Sequence, residues 1–264
     1  MGMDAYVPCR CWGDGLASPP PVPREWVELT ETGEVQLATP ELRGEAEVHA
    51  FDRWQQGEAC SHRHMAAEVQ RIGNWGGYRA FQEALELVGA EHFPVLGTEL
   101  PQSNAGSMNP DSAALALGEL AYFREHAHRA RQTRLLDDMS GECLTTYIAA
   151  YEGIAIWDGS AGRVVGVDPD GFFVREADVD RFRAMRLIQE PIGPGLLRLV
   201  DLDRPAVATE LRSEPFHFGQ FGDYSRRLRV ETVPVDADEY DYALDGLAAV
   251  CHAAVQTRNH VIWC

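Results

Sequence analysis

The stretch Cys60-Ser61-His62-Arg63-His64, running on through residues 65–71 to Ile72-Gly73-Asn74-Trp75-Gly76-Gly77, decides how the N-terminal half is read. Three metal-ligating side chains stand within five residues, and the segment that follows predicts a helix over 61–72. Gly73 would close that helix in the left-handed conformation. Asn74 would then cap a further helix whose apolar stripe is Tyr78, Phe81, Leu85 and Val88. Upstream, Met3, Ala5, Val7 and Cys9 alternate and predict a strand over 3–9, with Cys11 continuing the same face.

Zinc takes four tetrahedral ligands, most often thiolate or imidazole. Cys9 and Cys11 would share one face of a strand or knuckle. Cys60 and His64 are four apart, so both would face one way at a helix start. These four residues form a candidate site of three cysteines and one histidine, with His62 as the substitute ligand. The spacing departs from the two-residue knuckles of familiar zinc modules, so buried free thiols beside surface histidines fit the same residues. Four protein ligands would make a closed structural site, and three plus a water a catalytic one. Glu58 and Glu68 are the nearest candidate general bases. Cys60 is also a candidate nucleophile, because a helix N-terminus with Arg63 and His64 favours its thiolate.

The chain has 264 residues, 45% hydrophobic and 24% charged, which is enough for a substantial core. Its net charge of −18 opposes nucleic-acid binding, which needs a basic face, and docking on an anionic membrane. The same charge keeps a protein soluble and steers a basic protein partner onto it. Every one of the 23 basic residues is arginine. Schiff-base and phosphate-loop lysine chemistry is therefore excluded. The N-terminus shows neither a charged region nor an apolar run of the signal-peptide kind, and no stretch approaches membrane-spanning length. A cytoplasmic protein with its six cysteines as thiols or ligands is expected.

Along the rest of the chain, Trp26–Leu29 and Val35–Leu37 flank Thr32-Gly33 as a hairpin. A helix is predicted over 40–56, with Thr39 as N-cap and Pro40 at its first position, ended by Gly57. Residues 92–110 read as a long loop able to cover a pocket, and 111–130 as a helix. Strands are predicted over 143–151, 154–157, 164–167, 172–175, 185–188, 196–200, 206–211 and 228–235. A helix over 238–257 and a short strand over 260–263 finish the chain. The order defines an α+β fold. Its C-terminal half carries a mostly antiparallel sheet, packed with several helices from the N-terminal half and one C-terminal helix. One domain is expected, with a sub-boundary near 140.

Other residues invite chemistry less strongly. Asn74 with Gly76-Gly77 could present N–H groups to an anion, or simply pack closely. Asp201 and Asp203 could share a face as metal ligands or a general base, while Asp168 and Asp170 suit a turn. Cys251 falls on the stripe Tyr240, Leu244, Leu247, Ala254 and reads as core.

At its two ends and around Cys60 the chain resembles a bacterial family of uncharacterised proteins. The likeness lies in residues 1–11, with Cys9-Arg10-Cys11, then Gly15 and Pro19-Pro20-Pro21. It continues in Cys60-x-His62, in Arg71-Ile72-Gly73-Asn74 and in residues 251–263. Arg258-Asn259-His260 departs from the Gly-Asn-Pro turn of that pattern. The resemblance assigns no activity, but it implies likeness to immunity-type proteins that accompany secreted toxins. Two readings follow. One is an acidic binding protein that neutralises a basic toxin and carries an optional structural zinc. The other is a metal-dependent or cysteine-based hydrolase centred on Cys60, His62 and His64.

Overall fold

The computed structural model describes residues 2–158, 162–216 and 225–264. In chain order its strands are β1 (Gly2–Pro8), β2 (Val27–Leu29), β3 (Val35–Leu37), β4 (Ala66–Asn74), β5 (Ser107–Met108), β6 (Arg131–Asp137), β7 (Cys143–Thr146) and β8 (Ile154–Asp158). They continue as β9 (Arg163–Asp168), β10 (Gly171–Glu176), β11 (Val179–Ala184), β12 (Arg186–Gly193), β13 (Leu196–Asp201), β14 (Ala208–Leu211), β15 (Arg227–Pro234) and β16 (Val261–Trp263). The α-helices are α1 (Glu45–Arg53), α2 (Trp75–Gly89), α3 (Leu96–Glu99), α4 (Pro110–His126) and α5 (Asp241–Thr257). Every strand pairing among the described residues is antiparallel, so the architecture is α+β.

The chain divides into two compact units. The first comprises Met1–Phe81, Gly89–His126 and Asp236–Cys264; the second comprises Gln82–Val88 and Ala127–Val235. Residue 140 lies inside the second unit, in the turn between β6 and β7.

The first unit is built on a sheet of order β4-β1-β16-β5, with β2 and β3 as a separate hairpin. Alternation along β1 sends Met3, Ala5 and Val7 into the core and leaves Asp4 and Tyr6 on the opposite face. Helix α5 covers the core face with Leu244, Leu247, Cys251 and Ala254, and α4 packs on α5. The glycine at 246 lets α5 approach β4 closely, since a Cβ there would stand 3.2 Å from Ile72 Cδ1. The predicted cap of α2 is present: Asn74 Oδ1 accepts the Gly77 N–H at 2.8 Å.

The second unit stacks a six-stranded sheet, β14-β13-β12-β15-β6-β7, with a four-stranded one, β11-β10-β9-β8. Inward residues of both supply one core, including Val165, Val167, Phe172 and Phe182 from one sheet and Leu187, Leu197, Leu199 and Leu228 from the other. The Asp168–Gly171 turn closes as expected, with Asp168 Oδ1 accepting the Asp170 N–H.

Several local expectations are corrected. Residues 61–72 are not a helix: a single 3-10 turn, Arg63–Met65, leads into β4. Strand β4 pairs along the whole of β1, from Gly2↔Asn74 to Pro8↔Ala66, and places Ile72 in the core. A helix there would have left the β1 edge unpaired, so tertiary pairing outweighs local propensity. The helix over 40–56 is a 3-10 turn, then α1, then a π-turn that runs through Gly57 to Glu58. Thr39 is left-handed at φ 52° and caps nothing. The strand over 143–151 stops at Thr146, and β5, β6 and β11 appear where none was predicted.

Candidate metal centre

Strand β1 delivers Cys9 to the site, where its N–H donates to Met65 O at 2.7 Å. The chain then turns back on itself instead of extending the strand. Asp14 N–H donates to Arg10 O, and the N–H groups of Leu16 and Ala17 both donate to Cys11 O. Gly15 sits at φ +70°, a conformation that costs glycine little. Ser18 then staples this loop to the segment carrying Cys60. Its N–H donates to Ala59 O at 2.7 Å, its hydroxyl donates to Glu58 O at 2.6 Å, and the Trp54 indole donates to that hydroxyl at 2.9 Å. Beneath the loops, Val22, Val35, Leu37, Phe51, Trp54, Ala59 and Met65 form a small apolar cluster that also buries Cys9. Trp12 packs edge-on against Trp54.

This scaffold brings Cys9, Cys11, Cys60 and His62 together, with all four ligand atoms within 4.8 Å of one another. The Cys9 and Cys60 sulfurs are 3.8 Å apart. His62 Nδ1 lies 3.3 Å from Cys11 Sγ and 3.8 Å from Cys60 Sγ. A tetrahedral ion with bonds of about 2.3 Å to sulfur and 2.0 Å to nitrogen has sulfur–sulfur edges of about 3.8 Å and sulfur–nitrogen edges of about 3.5 Å. The cluster has the donors and the spacing to hold a metal ion. Cys9 is buried, and the other three ligands are half-buried.

Burial pushes the Cys9 thiol up to about 12, partly countered by the Cys11 backbone amide and reinforced by the neighbouring Cys11 and Cys60 thiols. Burial likewise raises the Cys11 thiol. Without an ion these groups hold their protons at neutral pH, so metal binding must release them.

Four of the five expected ligands thus meet, and His64 is the one that does not. The reason is the backbone: with no helix at 61–72, positions 60 and 64 do not share a face. His64 is left-handed at φ 54° and lines a separate cavity, while His62, the substitute, takes the fourth corner. No helix begins at Cys60, so the dipole argument for a reactive thiolate falls away. Neither candidate base joins the cluster. Glu58 is exposed, and Glu68 accepts a hydrogen bond from Gln70.

The remaining sequence candidates have structural roles. Tyr242 packs on Gly73 and Gly77 and donates its hydroxyl to Gly77 O, which accounts for the small residues there. Asp201 accepts the N–H groups of Asp203 and Arg204 and pairs with the Arg204 guanidinium at 2.7 Å. Cys251 is wholly buried in α5. The 92–110 stretch contains α3 and β5, and Glu119 accepts the N–H groups of Val95 and Leu96 within it.

Sequence reasoning missed the Ser18–Trp54 staple, for which no local pattern exists. It also missed Tyr6 and Glu34, which face one cavity and become neighbours only when the hairpin folds over the sheet. Compared with protein-family models, curated proteins and solved structures, the chain finds no match. Among the described residues no helix is long and apolar enough to cross a membrane.

Proposed function

We propose that this chain is an acidic cytoplasmic binding protein whose N-terminal loops are fixed by a structural zinc ion on Cys9, Cys11, Cys60 and His62. The observation that carries the zinc reading is the meeting of three thiols and an imidazole within 4.8 Å of one another, with Cys9 and Cys60 sulfurs 3.8 Å apart and His62 Nδ1 3.3 and 3.8 Å from Cys11 and Cys60. Three thiolates and an imidazole suit zinc by softness and by geometry. Four protein ligands complete the shell, so the ion braces the fold and activates no water.

The net charge of −18 supports a basic protein as partner, captured quickly through long-range attraction. A toxin-neutralising role of the immunity type fits that charge and the resemblance at residues 1–11 and 251–263. The hydrolase reading has less support, since the four clustered ligands include no carboxylate to serve as base.

Elemental analysis of the purified protein tests the metal. About one zinc per chain, lost in Cys60→Ala, is the expected result, and a metal-free protein from chelator-free preparations would overturn it. The partner is tested by titrating the protein encoded by the neighbouring gene at rising salt. Binding that weakens steeply with salt is expected. A neighbour that is acidic, or that does not bind, would overturn the capture role.

A further inference from the structure

The β2–β3 hairpin folds over the face of the first sheet that α5 leaves free, and between the two lies an open cavity of about 450 Å³. Such a volume suits a small ligand or one long side chain. Its walls combine apolar side chains, Val35, Met65 and Val69 among them, with the amides of Gln36 and Gln55. One carboxylate, that of Glu34, stands among the described lining residues. Tyr6 donates its hydroxyl to Glu34 Oε1, and the Thr32 hydroxyl donates to Oε2 at 3.0 Å. Both are neutral donors. Among the described residues no arginine pairs with this half-buried carboxylate. A carboxylate has about four acceptor positions, so two remain for a ligand. Burial first, and Glu34 second, raise the Tyr6 phenol above its ordinary value, which keeps it a donor.

The opposite wall carries backbone strain. His64 and Met65 are consecutive non-glycine residues at φ 54° and 52°, and both line the cavity. Conformations of this kind persist where surrounding structure enforces them and concentrate at ligand sites. Here Met65 O is held by the Cys9 N–H at 2.7 Å.

We propose that this cavity binds a guanidinium or primary ammonium group carried on an apolar stem, with Glu34 pairing the cation and Val35, Met65 and Val69 covering the stem. The cation belongs either to a free amine of this type or to an arginine side chain of a protein partner. The site uses none of the four metal ligands, so its failure and that of the zinc reading are distinguishable.

Calorimetric titration with butylguanidinium, with its neutral isostere butylurea and with the peptide Gly-Gly-Arg-Gly-Gly tests the proposal. Butylguanidinium or the arginine peptide is expected to bind at least about tenfold more tightly than butylurea, and whichever binds better identifies the source. Glu34→Gln is expected to weaken that binding at least about tenfold. Val69 is 60% exposed and pairs with Tyr6 across β1 and β4, so Val69→Arg leaves the core untouched and places its own guanidinium over the cavity. Binding is expected to be lost in that variant too. If the native protein binds neither cation, or if a folded Val69→Arg or Glu34→Gln variant binds as the native protein does, the proposal is overturned.

Discussion

Two apolar clusters among the described residues are built in opposite ways. In the second unit, thirteen buried residues from two stacked sheets meet by strand alternation, and hairpin pairing fixes their register. Around Cys9, eight buried residues come from a strand end, a loop, a two-stranded hairpin, a short helix and a π-turn, with no larger sheet to set their register. A core that small stabilises little by burial alone, which is the situation in which natural folds recruit a metal or a disulfide. Under the proposed metal reading, cysteine and histidine do for the N-terminal loops what leucine and phenylalanine do for the sandwich.

Removing the brace should break that comparison most strongly. Structural zinc sites contribute on the order of 10 kcal/mol in small modules. Cys60→Ala, or stripping the metal with a chelator, is expected to abolish hydrogen-exchange protection across residues 9–65, while β12 to β15 keep theirs. Uniform loss of protection would mean that the two clusters are not separately supported. The converse perturbation is Leu199→Ala, at a fully buried position of the sandwich. It is expected to cost about 2–5 kcal/mol in denaturant unfolding without changing metal content.

Acid should act on the second unit through its buried carboxylates Asp137 and Asp201, of which Asp201 is the more buried. Burial alone would raise Asp201, but the Arg204 guanidinium and the Asp203 and Arg204 N–H groups outweigh it and hold the carboxyl below its ordinary range. A depressed folded value means that the stabilisation is complete above the unfolded value of about 3.9 and disappears as pH falls through the folded one. Denaturant midpoints measured from about pH 6 down to pH 2 should therefore fall at the acid end. Asp201→Asn, which loses charge-assisted bonds worth about 2 kcal/mol, should flatten that fall. The smallest effect is expected at Arg258, the left-handed cap of α5 at φ 59°. Arg258→Gly should raise stability by about 0.5–1 kcal/mol, seen as a small upward shift in midpoint.

What was legible in the sequence follows the same division. The sandwich strands announced themselves, because period-two alternation is local: Leu197 and Leu199 mark β13 without reference to any partner. The exceptions are instructive. Strand β6 buries Gln132, Thr133 and Arg134, so its polar letters hide a central strand paired on both sides. Strand β11 alternates buried Phe182 and Ala184 with Arg181 and Arg183, an edge strand with charges that read as loop. In the first unit, the helix expected over 61–72 yielded to pairing with β1, a partner some sixty residues away in sequence, which no local window contains.

The ligand set shows the same limit on a smaller scale. Cys9, Cys11 and Cys60 could be named from residue type alone. The choice between His62 and His64 depended on backbone conformation: only a helix would have turned His64 toward Cys60. Position 258 is left-handed, and the Asn259 amide reaches back to donate to Pro8 O at 2.8 Å, next to Cys9.

The most direct test of the central claim is X-ray absorption at the zinc edge of the purified native protein. A structural site on Cys9, Cys11, Cys60 and His62 predicts three sulfur neighbours at about 2.3 Å and one nitrogen at about 2.0 Å, with no oxygen in the shell. A shell with two or fewer sulfurs, or one completed by a water oxygen, would contradict it and turn the site from a brace into a centre of chemistry.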